Sequence, residues 1–305
     1  MNNIVLLTDS TCDLTPELIE KYNIDVIPLY VTIDNKTYKD MTEIDSTKMY
    51  KISEETGSHP KTSTASIQDF YDFFIKYLKD GKDVVYCGIG EHLSSNYQNL
   101  FIVKDLVEEK HPGLSSHLYL VDSMNLSTGI SLVLIKMSEA ISEGKSVEEV
   151  VKIGNETAPK VHAGFCVPNL TYIYKGGRCS NAARFLGNLL SIKPMLTVEN
   201  GYLNVWKKSM GSYKKALKIM IDEFLKQFPN VDKKYVFITH SLGDQYATYI
   251  RSKIEHVSDK IENIYETKAG CVISSHCGMG TIGILYIVDE AQQKKKRRRK
   301  NKKGE

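Results

Sequence analysis

Short apolar runs alternate along the chain with longer stretches whose apolar residues recur every three or four positions, so strands and amphipathic helices take turns. Residues 4–8 (IVLLT) form the first such run and read as a strand buried on both faces. Thr15-Pro16 then supplies a capping hydroxyl and an N1 proline for a short helix ending near Tyr22. The β-branched run 26–33 reads as the next strand. The clearest helix spans 66–79: Ser66 and Asp69 form a capping box, Phe70, Phe73, Phe74, Tyr77 and Leu78 make one apolar stripe, and Gly81 stops it. Strands are expected at 83–89 and 118–121, with helices at about 95–109 and 126–143. A second capping box, Ser146-Val147-Glu148-Glu149, opens a helix to about Thr157.

From Val161 onward the pattern changes. Residues 195–198 and 202–206 flank Glu199-Asn200-Gly201, a strong short-range signal for a β-hairpin. Residues 169–174 read as a short helical stretch, 212–228 and 244–257 as helices, and 234–239, 264–267 and 281–288 as strands. The alternation makes this an α/β protein, and 305 residues fit two domains, placed at 1–160 and 161–288. What remains, 289–305, is a low-complexity basic tail too charged to pack, expected to be disordered.

The tail changes the meaning of the charge. The chain carries +3 overall, but nine of its 40 Lys and Arg lie between Lys294 and Lys303. Residues 1–288 hold 31 Lys and Arg against 34 Asp and Glu, a body near −3, which excludes a general nucleic-acid footprint. Beyond a solvated extension, the tail suits contact with an anionic membrane, at roughly 1 kcal/mol per basic residue near such a surface, and then non-specific contact with nucleic-acid phosphates, with no specific nucleic acid as partner. A hydrophobic fraction of 42% and a charged fraction of 25% are those of a soluble globular protein. The longest apolar stretches, 130–135 and 282–288, fall short of the roughly 20 residues a membrane helix needs. Asp9 interrupts the start too early for a secretory leader. The six cysteines (12, 87, 166, 179, 271 and 277) lack CxxC spacing and read as reduced thiols, so a cytoplasmic location is expected.

Candidate chemistry clusters in four places: Thr8-Asp9-Ser10-Thr11, the segment 61–66 (KTSTAS), His92-Leu93-Ser94-Ser95, and 274–281 (SSHCGMGT). Ligands of open α/β sheets bind beyond the carboxyl ends of strands, where helix N-termini favour anions. Hydroxyls there donate to an anion, although capping alone explains each cluster taken singly. Gly278, Gly280 and Gly283 spell GxGxxG, but a strand-like run follows them, so they mark close backbone approach and not a dinucleotide fold. No Walker A sequence is present. Thr239-His240-Ser241-Leu242-Gly243 lies between a strand and a helix, as a nucleophile elbow would; chain order allows Asp259 and His276 as partners. A serine hydrolase using Ser241 is the alternative function. Cys271, His276 and Cys277 lack the further ligands zinc needs, so no metal is expected. Lys175-Gly176-Gly177-Arg178 resembles a glycine helix stop that displays an arginine toward a carboxylate or phosphate.

Taken in order, several segments resemble the DegV family of bacterial fatty-acid-binding proteins: TDSTCDL, YNIDVIPLYVTID, KTSTAS, LSSNYQN, YKGGR and SSHCGMGTIG, covering about residues 1–288. The resemblance implies a two-domain α/β fold, a parallel-sheet N-terminal domain and an α/β C-terminal domain with a β-hairpin, enclosing one long-chain fatty acid in an apolar tunnel. Thr62, Ser63 and Ser94 would hydrogen-bond the carboxyl group, with Ser95, where the family has glycine, adding a donor. His276 would sit beside it, Gly278 would let the backbone approach, and Arg178 would lie on the exposed face near the site. No catalytic residue and no cofactor are implied. Relatives of this kind present their fatty acid to a separate ATP-dependent fatty acid kinase, which makes an acyl-phosphate for phospholipid synthesis. The chain departs from the family at Met210-Gly211-Ser212-Tyr213, where a basic R-T-R-like segment is common.

Overall fold

The computed structural model describes residues 3–168, 170–179 and 192–288; the basic tail and Asn169 lie outside them. Strand β1 (Ile4–Asp9) runs through a 3-10 turn at Ser10–Cys12 into helix α1 (Pro16–Lys21), and the chain returns as β2 (Ile24–Ile27). It then leaves this sheet. Strands β3 (Tyr30–Ile33) and β4 (Lys36–Lys39) pair antiparallel. Helix α2 (Ser46–Thr56) leads to β5 (Lys61–Ser63), which pairs with the other edge of β3. Helix α3 (Ile67–Lys79), β6 (Asp83–Gly88), α4 (Asn96–Lys110) and β7 (Leu118–Asp122) follow, then α5 (Thr128–Ser142) and α6 (Val147–Thr157). The first sheet, β2-β1-β6-β7, is parallel throughout.

Both capping boxes form, and Thr15 caps α1 with Pro16 at its first position. The single strand expected over 26–33 is a correction. It is two strands in two sheets, broken at Pro28-Leu29. Proline has no N–H to continue a ladder, and the next N–H, that of Leu29, is taken by the Ser10 hydroxyl at 3.1 Å.

The second sheet is built from β8 (Val161–Cys166), β9 (Ile192–Glu199), β10 (Tyr202–Met210), β11 (Val231–His240), β12 (Asn263–Lys268) and β13 (Ile282–Val288). Helix α7 (Thr171–Gly176) follows β8, α8 (Tyr213–Gln227) and α9 (Asp244–Ser258) flank β11, and α10 (Cys271–Cys277) precedes β13. The sheet order β10-β9-β8-β13-β11-β12 is mixed, with β11 and β12 parallel. Asn200 (φ 52°) and Gly201 (φ 80°) are both left-handed at the β9–β10 turn, as a two-residue hairpin requires.

One face of the second sheet, with Cys166, Ile238, Ile282 and Ile284, packs beneath Leu217, Phe224, Ile250 and Ile254 of α8 and α9. The opposite face, with Ala163, Phe165, Phe237 and Leu285, shares a core with Leu6 and Val85 of the first sheet. Helix α5 lies in that shared core, which is why its run Ile130–Ile135 is apolar on nearly every side. Among the described residues no helix is long and apolar enough to cross a membrane.

Candidate functional site

On the Phe165 and Leu285 face of the second sheet, a cavity is lined chiefly by Leu126, Phe165, Ile173, Leu203, Ile273 and Leu285. A second shares Leu126, Leu203, Ile273 and His276 with it and carries the polar groups. Thr62, Ser63, Ser94, Ser95, Arg178 and His276 all line this second chamber. The site is therefore an apolar chamber adjoining a hydroxyl-rich one, named below the inner chamber and the mouth.

Three separate elements supply the mouth. Thr62 and Ser63 end strand β5, Ser94 and Ser95 precede α4, and His276 lies on the last turn of α10. Residues 271–277 are helical, and the glycines of the 274–281 cluster begin after them. Ser95 occupies the N-cap position of α4 without making a side-chain cap bond, so its hydroxyl is not spent on the helix. The Ser94 hydroxyl oxygen accepts the Asn96 N–H at 3.3 Å. Its own proton remains available to a ligand.

His276 fixes Thr62 in the same way. Its Nε2 lies 2.8 Å from Thr62 Oγ1, while its buried Nδ1 has no hydrogen-bond partner. Burial first, then the charges of Arg178 and His59, lowers its pKa to about 4, so the ring is neutral at pH 7. A buried orphan N–H is rarer than an under-satisfied acceptor, which puts the single ring proton on Nε2. That N–H donates to Thr62, whose hydroxyl then donates onward. Two hydroxyls from separate elements thus arrive as donors with their acceptor sides already engaged, an arrangement suited to an anion.

The KGGR segment serves this geometry. A Cβ on Gly176 would stand 2.4 Å from His276 Nδ1, so only glycine lets α7 approach the imidazole. Gly177, at φ 69°, ends α7 in the left-handed conformation. The chain then turns back, and Arg178 Nη1 donates to Gly176 O at 2.7 Å beside the mouth. Gly278 lines neither chamber; it stands against Tyr172, to which a Cβ would approach within 2.7 Å.

The sequence reading missed the residues that hold α10. Asp40 accepts the N–H groups of Cys271 (2.7 Å) and Val272 (3.2 Å), and Asp13 accepts that of Gly270 (2.8 Å) and the Ser127 hydroxyl. Burial raises both carboxyl pKa values, that of Asp13 to about 8. Asp13 was visible in TDSTCDL as part of a motif without a role. Nothing around Asp40 in the sequence signals a helix terminus more than 200 residues away.

Ser241 lines the inner chamber with its hydroxyl 2.8 Å from those of Tyr50 and Ser274. The left-handed residue of its turn is Leu242 (φ 48°), one position after the serine. His240 Nδ1 accepts the Gly243 N–H at 3.1 Å. Among the described residues no group of three or more His, Cys, Asp and Glu could hold a metal ion.

The sequence model of the uncharacterised DegV family proteins matches residues 3–289. The chain belongs to the DegV family. It is 32% identical over 287 residues to a DegV domain-containing protein of Clostridium acetobutylicum, covering 94% of this chain and 99% of the relative. It is also 32% identical over 285 residues to a fatty acid-binding protein of Thermotoga maritima, covering 92% and 96%. The fold superposes on a DegV family protein of Thermus thermophilus, described for its fatty acid binding, with a TM-score of 0.84 at 28% identity over 93% of this chain and 99% of that one. DegV membership and the two-part α/β architecture inferred from the ordered motifs are thereby shown.

Proposed function

We propose that this DegV protein is a carrier that binds one long-chain fatty acid, its chain in the inner chamber and its carboxylate at the mouth. The observation that carries the reading is the adjacency of the two chambers. An apolar pocket shares Leu126, Leu203 and Ile273 with one that holds hydroxyls whose oxygens are occupied by N–H donors and whose protons are free. Each methylene buried in the inner chamber contributes about 0.8 kcal/mol, so affinity comes from the chain. Thr62 and Ser94 then prevent the carboxylate from being buried unpaired, with Ser63, Ser95 and Arg178 as further donors around it. The relatives of known ligand class support the same assignment.

The reading extends, on the family resemblance, to a cytoplasmic, non-enzymatic role in which a separate fatty acid kinase phosphorylates the presented carboxylate for phospholipid metabolism. Contact of the basic tail with an anionic membrane belongs to the same extension. We place the division into two domains at residues 160 and 161. All strands of the parallel sheet precede that point and all strands of the six-stranded sheet follow it. A serine hydrolase is the weaker reading, because the Ser241 hydroxyl is bonded to two other hydroxyls and not to an imidazole.

Native mass spectrometry of freshly purified protein is expected to show a mass excess matching one fatty acid, released on denaturation. An apo mass that persists after incubation with saturated and unsaturated acids of twelve to eighteen carbons would overturn the proposal.

A further inference from the structure

We infer that Asn96, held by Asp9, is the positioning residue that fixes the two hydroxyl walls of the mouth relative to each other. The inference rests on the carboxylate reading above and goes beyond it to how the donors are kept in place. Asp9 ends β1 and is wholly buried. Its Oδ1 accepts the Thr11 N–H at 2.9 Å and the Thr11 hydroxyl. Its Oδ2 accepts the Tyr86 hydroxyl (2.7 Å), the Ile89 N–H (3.1 Å) and the Asn96 side-chain amide (3.0 Å). A buried carboxylate so fully engaged is a rigid anchor.

Asn96 is also wholly buried, and both polar atoms of its amide are bonded. Its Nδ2 donates to Asp9, its Oδ1 accepts the Thr64 hydroxyl, and its backbone N–H donates to Ser94 Oγ. The amide orientation is not arbitrary. A carboxylate can only accept, so the NH₂ must face Asp9 and the oxygen must face Thr64. Thr64 follows directly on Thr62 and Ser63 of β5, while Ser94 and Ser95 lead into α4. One residue therefore touches both walls. Asn99 braces the same joint, donating to Ala65 O at 3.1 Å.

A helix start needs none of this. The first helical position tolerates most residues, and burying an amide there costs free energy unless each of its bonds is made. What the amide does supply is a tie from Thr64, beside β5, to the residue whose backbone N–H holds Ser94, and so a fixed separation between hydroxyls that must meet the two oxygens of one carboxylate. Binding geometry of that kind depends on supporting hydrogen bonds behind the contacting groups.

The test compares tetradecanoic acid with tetradecan-1-ol, which share a chain and differ at the head, in binding to the delipidated full chain. Wild type is expected to prefer the acid. Asn96→Ala should weaken acid binding about tenfold, the scale of one charge-assisted hydrogen bond, while alcohol binding stays within about twofold. Thr64→Val, which removes one hydroxyl and keeps the side chain's shape, should give a smaller loss in the same direction and guards against a misfolded Asn96 variant. Equal weakening of acid and alcohol, or an acid-to-alcohol ratio unchanged in both variants, overturns the positioning role. A wild-type protein without preference for the acid removes the carboxylate reading and this inference with it.

Discussion

At the scale of single residues, the mouth depends on how closely α7 approaches His276. Gly176→Ala would drive a methyl group into Nδ1, where the undisplaced contact would be 2.4 Å. The ring must then move away from Thr62. Fatty acid affinity is expected to fall about tenfold, a loss near 1.4 kcal/mol. Gly177→Ala is the contrasting case. At φ 69°, with nothing within 4 Å of a new Cβ, it should destabilise by about 1 kcal/mol through backbone strain and leave affinity nearly unchanged. Titration of both variants, each with a urea melt, separates the two effects. Sequence reasoning saw a glycine stop and a displayed arginine here, and both exist. It could not see that the first glycine answers to an imidazole a hundred residues later. The hydroxyls were legible because strand ends and helix starts are readable. Asn96 was not, since a first-turn asparagine in a helix carries no mark of burial.

At the scale of elements, α10 joins the two halves of the molecule. It is contributed by the second half, yet its N-terminal N–H groups are held by Asp13 and Asp40 of the first. It carries Ile273 and His276 into both chambers. Burial raises the Asp13 pKa from 3.8 to about 8. A raised carboxyl pKa means the folded state holds a proton that the unfolded chain has released. The resulting stability is fully present below about pH 4 and is lost as pH rises through about 8. The Asp13→Asn variant should therefore show a flatter fall of Tm between pH 6.5 and 8 than wild type, measured by thermal melts across that range. His276 and His162 act with the opposite sign, since their folded pKa values are lowered to about 4. Their stabilisation is present above about 6.5 and lost as pH falls toward 4, so the comparison belongs above pH 6.5. Element-level reading succeeded where a pattern is local, as in the two capping boxes and the Asn200-Gly201 hairpin. It failed where partners are distant. The run 26–33 is continuous in composition, and Pro28 divides it between sheets that the sequence does not announce. The short helix Cys271–Cys277 is rich in Cys and Ser and followed by glycines, so propensity points to a loop. Packing against α2, β3 and α7 makes it helical.

At the scale of the whole molecule, the ligand reading makes a statement about cooperativity. Leu29, Leu93 and Leu126 reach the chambers from the first half, and Phe165, Leu203 and Leu285 from the second. An acyl chain between them would be buried by both halves at once, and neither half alone would enclose it. Ligand that binds the folded state stabilises it by an amount set by its concentration over Kd, about 2.7 kcal/mol at a hundredfold excess. Because the halves share one core through α5, that gain should appear in both. Trp206, the single tryptophan, lies on β10 and reports on the second half through its fluorescence. Hydrogen exchange at β1 and β6, the middle strands of the parallel sheet, reports on the first. Loading delipidated protein with a long-chain acid is expected to raise the Trp206 unfolding midpoint and to slow exchange in β1 and β6 by matching free energies. If only one half gained protection, the acyl chain would be lodged within that half, and the chambers lined by both halves would not be where it lies.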